Sequence, residues 1–229
     1  MAMVLPEQYN ESNDMTTVST LKHLAKYKDL IKWKVGECIL EFSIGDGKCS
    51  ANCLQPILPG DYKEFVVLDI SKQMIDFVQS KINIPRVQFV VEDIANKHLP
   101  SEFENRFDHI FGIFAMHNVH DPNQAFKNIY KMLKPGGQVF VSCFDHKPVD
   151  EAFAKLAEHL KWKKYGDHTS AYYYKADPKS EYEKDLAEAG FKDYIFDVVT
   201  ESHMFDENES VWKSKFLLFF MRVNSIKLR

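Results

Sequence analysis

The sequence predicts an α/β fold with a doubly wound, mostly parallel sheet. Two observations predict it: short apolar runs alternate with helical stretches, and acidic or glycine residues follow directly after the runs. Cys38–Phe42 (CILEF), 65–68 (FVVL), Val87–Val91 (VQFVV), 109–114 (HIFGIF) and 139–143 (VFVSC) are rich in Val, Ile and Phe. Between them, 48–58, 71–82 and 123–133 are each long enough for a short helix. Continuous apolar strands separated by helices imply a sheet covered on both faces. A chain of 229 residues can bury such a core without disulfide or metal staples.

Further elements flank this unit. Residues 14–29 place Leu21, Leu24 and Ala25, with Leu30 beyond, at helical spacing, as expected of an N-terminal helix packed on the sheet. Residues 151–162 repeat the pattern with Phe153, Leu156, Ala157 and Leu160 on one stripe. A tyrosine-rich stretch (172–174) precedes a helix near 178–189, which Gly190 should end. Residues 194–199 read as a sixth strand, and 216–223 fit either a last strand or a helix start. The expected organisation is one domain over 1–229: a helical cap segment (1–34), a cofactor-binding core (35–145), and substrate-side helices with the last strands (146–229).

Composition narrows the function classes. A formal charge of -4 and a pI near 6.1 exclude the basic footprint of a nucleic-acid binder. Four cysteines (Cys38, Cys49, Cys53, Cys143) are too few for a disulfide scaffold and read as buried thiols. The first lysine is Lys22, so no signal peptide is expected. The apolar runs 110–116 and 216–221 are too short to span a membrane, which leaves a soluble, cytoplasmic setting with no membrane partner. His117, His120 and Asp121 lack the spacing of a metal site and read as helix-start residues. The KWKK run at 161–164 reads as a solvated helix end.

In an open α/β sheet, ligands bind beyond the carboxyl ends of the strands. The first strand runs into Glu41-Phe42-Ser43-Ile44-Gly45-Asp46-Gly47, where glycines permit a tight turn and close approach to a bound group. The second ends in Asp69, at the separation expected of a carboxylate that grips ribose hydroxyls. The third ends in Asp93-Ile94 and the fourth in Phe114-Ala115-Met116-His117-Asn118. A dinucleotide loop would carry a third glycine where Ser50 stands, which disfavours an NAD-linked oxidoreductase. An acidic strand followed by two glycines suits a zwitterionic amino-acid ligand better than a phosphate. The Leu133-Lys134-Pro135-Gly136-Gly137 turn before the fifth strand is a frequent mark of class I S-adenosylmethionine-dependent methyltransferases.

More specific segments narrow the resemblance. Leu30-Ile31-Lys32-Trp33-Lys34, Arg106-Phe107-Asp108-His109-Ile110-Phe111, Met116-His117-Asn118-Val119-His120-Asp121 and Gln124-Ala125-Phe126-Lys127-Asn128-Ile129 resemble the insect juvenile hormone acid methyltransferases, from about Tyr9 to Trp212. The resemblance implies a Rossmann-like class I methyltransferase fold with a helical cap over the substrate site. It implies juvenile hormone biosynthesis: transfer of a methyl group from S-adenosylmethionine to the carboxylate of a farnesoic-acid-like sesquiterpenoid, a small apolar acid, by a monomer or homodimer. By the same resemblance the donor lies against Glu41, Ser43, Gly45 and Gly47, with Asp69 on the ribose and Ile70 on the adenine. Asp93 and Ile94 then hold the adenine edge, and Phe114 and Met116 wall the pocket. Thr16, His117 and Asn118 take the catalytic positions, while Tyr9, Ser12, Phe144, Phe153, Tyr172 and Tyr173 line the acceptor. Three positions depart from the family pattern. Ser43 replaces the first loop glycine, and Thr16 and Asn118 replace the glutamine and tryptophan that hold the substrate carboxylate. Those departures keep open an alternative, a weak or inactive relative that binds S-adenosylmethionine or a lipid without turnover.

Overall fold

The computed structural model of the chain describes residues 5–12, 14–147, 149–205 and 210–222, the side chains of Ser12 and of 202–222 excepted. The apolar runs become β1 (Cys38–Phe42), β2 (Glu64–Asp69), β3 (Val87–Val91), β4 (Phe107–Gly112) and β5 (Leu133–Phe144), all paired in parallel. With β6 (Asp193–Phe205) and β7 (Ser210–Arg222) they form one sheet in the order β3-β2-β1-β4-β5-β7-β6. β7 runs antiparallel to both β5 and β6, which makes 216–222 of the undecided last segment a strand; residue 223 lies outside the described residues. The chain reverses its winding at β1, so the β1–β4 boundary is the switch point at which such sheets bind ligands.

Successive residues of β1 enter opposite cores. Leu40 and Phe42 join Phe126, Ile129, Tyr182 and Leu186 beneath α4 (Pro122–Met132) and α6 (Pro178–Ala189). Ile39 joins Leu24, Leu54, Ile75 and Val78 beneath α2 (Asp14–Tyr27) and α3 (Lys72–Lys81). Helix starts follow capping chemistry: Ser71, Asp121 and Asp177 accept from the backbone N–H three residues on and open α3, α4 and α6. Gly190 closes α6 in the left-handed region, donating to Leu186 and Ala187 carbonyls, as its position predicts. All four cysteines are free and buried.

Several elements differ from expectation. Residues 48–57 are helical but widen into a π turn at Ser50–Leu54 before tightening at Gln55–Ile57. β4 stops at Gly112, leaving Ile113 and Phe114 beyond the strand. The LKPGG segment lies within β5, where the pairing jumps from Phe107–Leu133 to His109–Gln138. That bulge brings Lys134 and Asp108 carbonyls against Gly137, with no room for a side chain. On α2, Leu21 is 50% exposed and the buried face is Thr16, Ser19, Thr20, His23, Leu24 and Tyr27. The helix expected over 151–162 is α5 (Asp150–Glu158), and Leu156 and Leu160 of its stripe face solvent. A short helix α1 (Pro6–Ser12) precedes α2.

Gly112 shares the compression of the switch point. A Cβ there would fall well inside contact distance of the fully buried Phe42 ring. Gly112→Ala is expected to cost about 1–3 kcal/mol through overpacking. Urea unfolding checks this, and an unchanged midpoint would show that the ring yields freely.

Candidate active site

The Glu41 carboxyl ends β1 on the inside of the sheet, 2% exposed, where the Ser50 hydroxyl donates to it. Burial pushes it up to about 8, outweighing that hydrogen bond. The loop after it then turns through three left-handed residues, Ser43 (φ 57°), Gly45 (φ 58°) and Gly47 (φ 77°). Gly45 and Gly47 adopt this conformation without cost, whereas Ser43 holds it under strain where the resembled family has glycine. A Cβ on Gly47 would also run into Ile82 and Val78.

Asp69 closes β2 against the same loop. Its carboxylate accepts from Gly45 N–H at 3.2 Å and Ser71 N–H at 2.8 Å. Burial nevertheless raises it above the ordinary aspartate range. Among the described residues neither Glu41 nor Asp69 has a lysine, arginine or histidine partner. Two buried carboxyls without a countercharge at one sheet edge fit a cationic, hydroxyl-bearing ligand. Next to them Ile70 is 47% exposed, an apolar surface at the mouth of the loop.

Asp93 stands two residues beyond β3 on the same edge, half-buried, accepting from Ala95 N–H at 2.8 Å. Ile94 is buried, its carbonyl taken by the Asn128 amide at 2.7 Å. Beyond β4, Phe114 is left-handed (φ 51°), a strained position for an aromatic residue, fixed by Ser142 Oγ accepting from its N–H at 3.0 Å. Its ring lies 5.2 Å from Phe144 and 6.2 Å from His23. Met116 is wholly buried in the α4/α6 core and offers no exposed wall.

The three positions assigned to catalysis lie on two separate walls. Thr16 packs on the helical segment after the glycine loop, its Oγ1 3.7 Å from Cys49 Sγ. His117 is buried and edge-on to Phe144, which donates its N–H to Nδ1 at 3.3 Å. Burial, and secondarily Lys147, lowers the imidazole to about 3, so the ring is neutral. Asn118 is exposed, its Nδ2 3.1 Å from His117 Nε2 and its Oδ1 accepting from Lys147 Nζ at 3.3 Å.

The acceptor-side positions are less gathered. Phe153 lies 6.1 Å from the His168 ring with Lys147 Nζ 5.4 Å above its centre. Tyr173 stands edge-on to His146, on the same segment. Tyr172 turns the other way, donating to Asp185 and packing on Tyr182 of α6, so its hydroxyl serves the core side. Tyr9 is half-buried on α1, and the Ser12 side chain lies outside the described residues.

Other residues at the site went unread in the sequence. Lys48 donates to the Asn10 carbonyl and, at 2.7 Å, to Asp14, while the Asn10 amide donates to Asp46 at 3.3 Å. These contacts fasten α1 and α2 over the glycine loop. Farther along, Ser19 donates to Glu201 at 2.8 Å and His23 lies 3.1 Å from it, tying α2 to β6. Among the described residues no cluster could hold a metal ion, and no helix is long and apolar enough to cross a membrane.

A methyltransferase-domain model matches residues 39–137, the span from β1 to the start of β5 that carries every residue expected on the donor side. The chain carries a methyltransferase domain over that span. The juvenile hormone acid O-methyltransferase of Bombyx mori is 26% identical over 211 residues, covering 90% of this methyltransferase and 75% of its own length. The Drosophila melanogaster enzyme of the same name is also 26% identical, over 206 residues, covering 86% and 69%. A solved S-adenosylmethionine-dependent methyltransferase of Thermotoga maritima superposes with a TM-score of 0.61 at 18% identity, covering 96% of this methyltransferase and 98% of that chain, and shares the fold.

Proposed function

We propose that this methyltransferase moves a methyl group from S-adenosylmethionine to the carboxylate of a small apolar acid, of the class of farnesoic acid or juvenile hormone acid. The observation that carries the donor assignment is the pair Glu41 and Asp69, buried without a countercharge beside the left-handed loop. In this reading Glu41 faces the donor's ammonium group, Asp69 its ribose hydroxyls, Ile70 and Ile94 the adenine faces, and Asp93 the adenine amine. The acid class is supported by the names of the Bombyx and Drosophila relatives and by the packed Phe114–Phe144 ring pair beside His117.

Bound S-adenosylmethionine supplies a methyl group on a positively charged sulfur. A carboxylate acceptor is already ionised near neutral pH, so the protein needs no strong base. Its work is alignment, which can supply roughly 7–11 kcal/mol of barrier reduction. His117, held neutral, orients rather than titrates, and the exposed Asn118 amide beside Lys147 offers a hydrogen bond to the acceptor's oxygens.

The decisive test is mass spectrometry of a panel of farnesoic, juvenile hormone and fatty acids incubated with labelled donor. A labelled methyl ester absent from a Gly47→Arg control is expected. Donor binding with no ester from any acid would instead support the second reading, a relative that binds without turnover. Strained Ser43 and the altered Thr16 and Asn118 favour that reading.

A further inference from the structure

Residues 149–165 stand on the acceptor side of the fold, yet much of their apolar surface is uncovered. Val149 at the start of α5 and Leu156 on its outer face are each 43% exposed, and Leu160, in the turn just beyond the helix, is 85% exposed. The turn after α5 adds Trp162 at 39% and Tyr165 at 60% exposure. Phe153 of α5 turns inward, towards His168 and Lys147. Lysines rim the uncovered part: Lys161 Nζ lies 4.6 Å over the Trp162 ring and Lys164 Nζ 5.0 Å over Tyr165, with Lys163 between them. Residues 159–165 contain no acidic side chain, in a chain whose net charge is -4. Acids flank this turn without entering it: Glu158 ends α5 just before it, Asp167 follows it and accepts from Tyr174, and Glu151 pairs with Lys155 at 2.6 Å.

We infer that this surface docks the protein onto an anionic phospholipid membrane. Exposed Leu with Trp and Tyr suits the headgroup boundary, where an aromatic ring keeps one side apolar and one wet. Lysines on long stems keep their charges at the phosphates while the chains below stay apolar. Charge complementarity selects the occupant: a second copy docked by two-fold symmetry would press the same lysine cluster against itself. A membrane of anionic lipid meets both halves of the patch at once. The contact is peripheral, compatible with the lack of any spanning helix among the described residues. Lys147, which donates to Asn118, lies just before this segment, so, on the function proposed above, docking would bring the acceptor side near the lipid phase.

Sedimentation with vesicles tests this without reading methyl transfer, so its outcome is independent of the acceptor assigned above. The protein is expected to bind phosphatidylcholine vesicles containing phosphatidylserine, to bind phosphatidylcholine alone far more weakly, and to dissociate as salt rises. Replacing Lys161, Lys163 and Lys164 together by glutamine should weaken binding roughly a hundredfold. Leu160→Ser with Trp162→Ser should weaken it while leaving the salt dependence in place. These side chains are exposed, so circular dichroism and S-adenosylmethionine binding should stay unchanged and certify the fold. Absent binding, equal binding to neutral vesicles, or a lysine variant that binds like the parent would overturn the inference. So would a dimer that the Leu160/Trp162 variant converts to monomer in lipid-free solution.

Discussion

Lowering the pH from about 8 to about 6 is expected to weaken S-adenosylmethionine binding by up to about a hundredfold. The Glu41 carboxyl is held protonated by burial until about pH 8, while the proposed partner, the donor's ammonium group, needs the carboxylate. Below that pH each bound donor must expel one proton from Glu41, and affinity falls as much as tenfold per unit. Above it the gain ends, because an α-amino group itself loses its proton at about 7.7–8.0. Calorimetry in buffers of different ionisation enthalpy should register release of about one proton near pH 6.5. Glu41→Gln should bind weakly and release none. Affinity that stays level between pH 6 and pH 7.5 would place the donor's ammonium group elsewhere.

That expectation could be framed because the carboxyl edge of the sheet was legible in the sequence. Glu41, Gly45, Gly47, Asp69 and Asp93 all sit at the ends of apolar runs, and parallel strands deliver their ends to one edge regardless of loop detail. Helix α3 was legible as the stretch 71–82, and the end of α6 through Gly190. The inward face of α2 was not. A helix is normally read by its apolar stripe, but this one covers a polar surface of Cys49, Glu201 and Asp197, so Thr16, Ser19 and His23 turn inward and Leu21 outward. The cap's fastenings join residues 36 and 178 apart, and no local pattern announces them. The ion pair from Lys48 to the mostly exposed Asp14 is worth at most about 1 kcal/mol, so burial of Leu24 and Tyr27 does more to hold this cap in place. The end of β4 misled for a different reason. After His109 the run HIFGIF carries no polar side chain, and only backbone geometry reveals that Phe114 leaves the strand with a positive φ.

Folding stability should peak near pH 6.5 and fall on both sides. Burial depresses His117 to about 3 and His109 to about 4. A histidine with a lowered folded-state pKa contributes stability that is fully present above its unfolded value of about 6.5 and lost as pH falls through it. At pH 5 each of the two has lost on the order of 2 kcal/mol. His23, also lowered by burial, acts in the same sense. Glu41 opposes them: its raised pKa gives stability that is present at low pH and lost as pH rises from about 4.5 to about 8. Between pH 6.5 and pH 5 it returns on the order of 2 kcal/mol, with Asp69 and Glu37 shifted in the same direction. The histidines therefore win on the acid side by roughly 2 kcal/mol, and Glu41 alone produces a comparable fall between pH 6.5 and pH 8. Urea unfolding across this range should trace that dome. His117→Gln, which keeps an acceptor for the Phe144 N–H, should flatten the acid limb, and Glu41→Gln the alkaline one. If stability kept rising down to pH 5, or if His117→Gln left the acid limb as steep as before, the buried imidazoles would not be the groups that limit this fold.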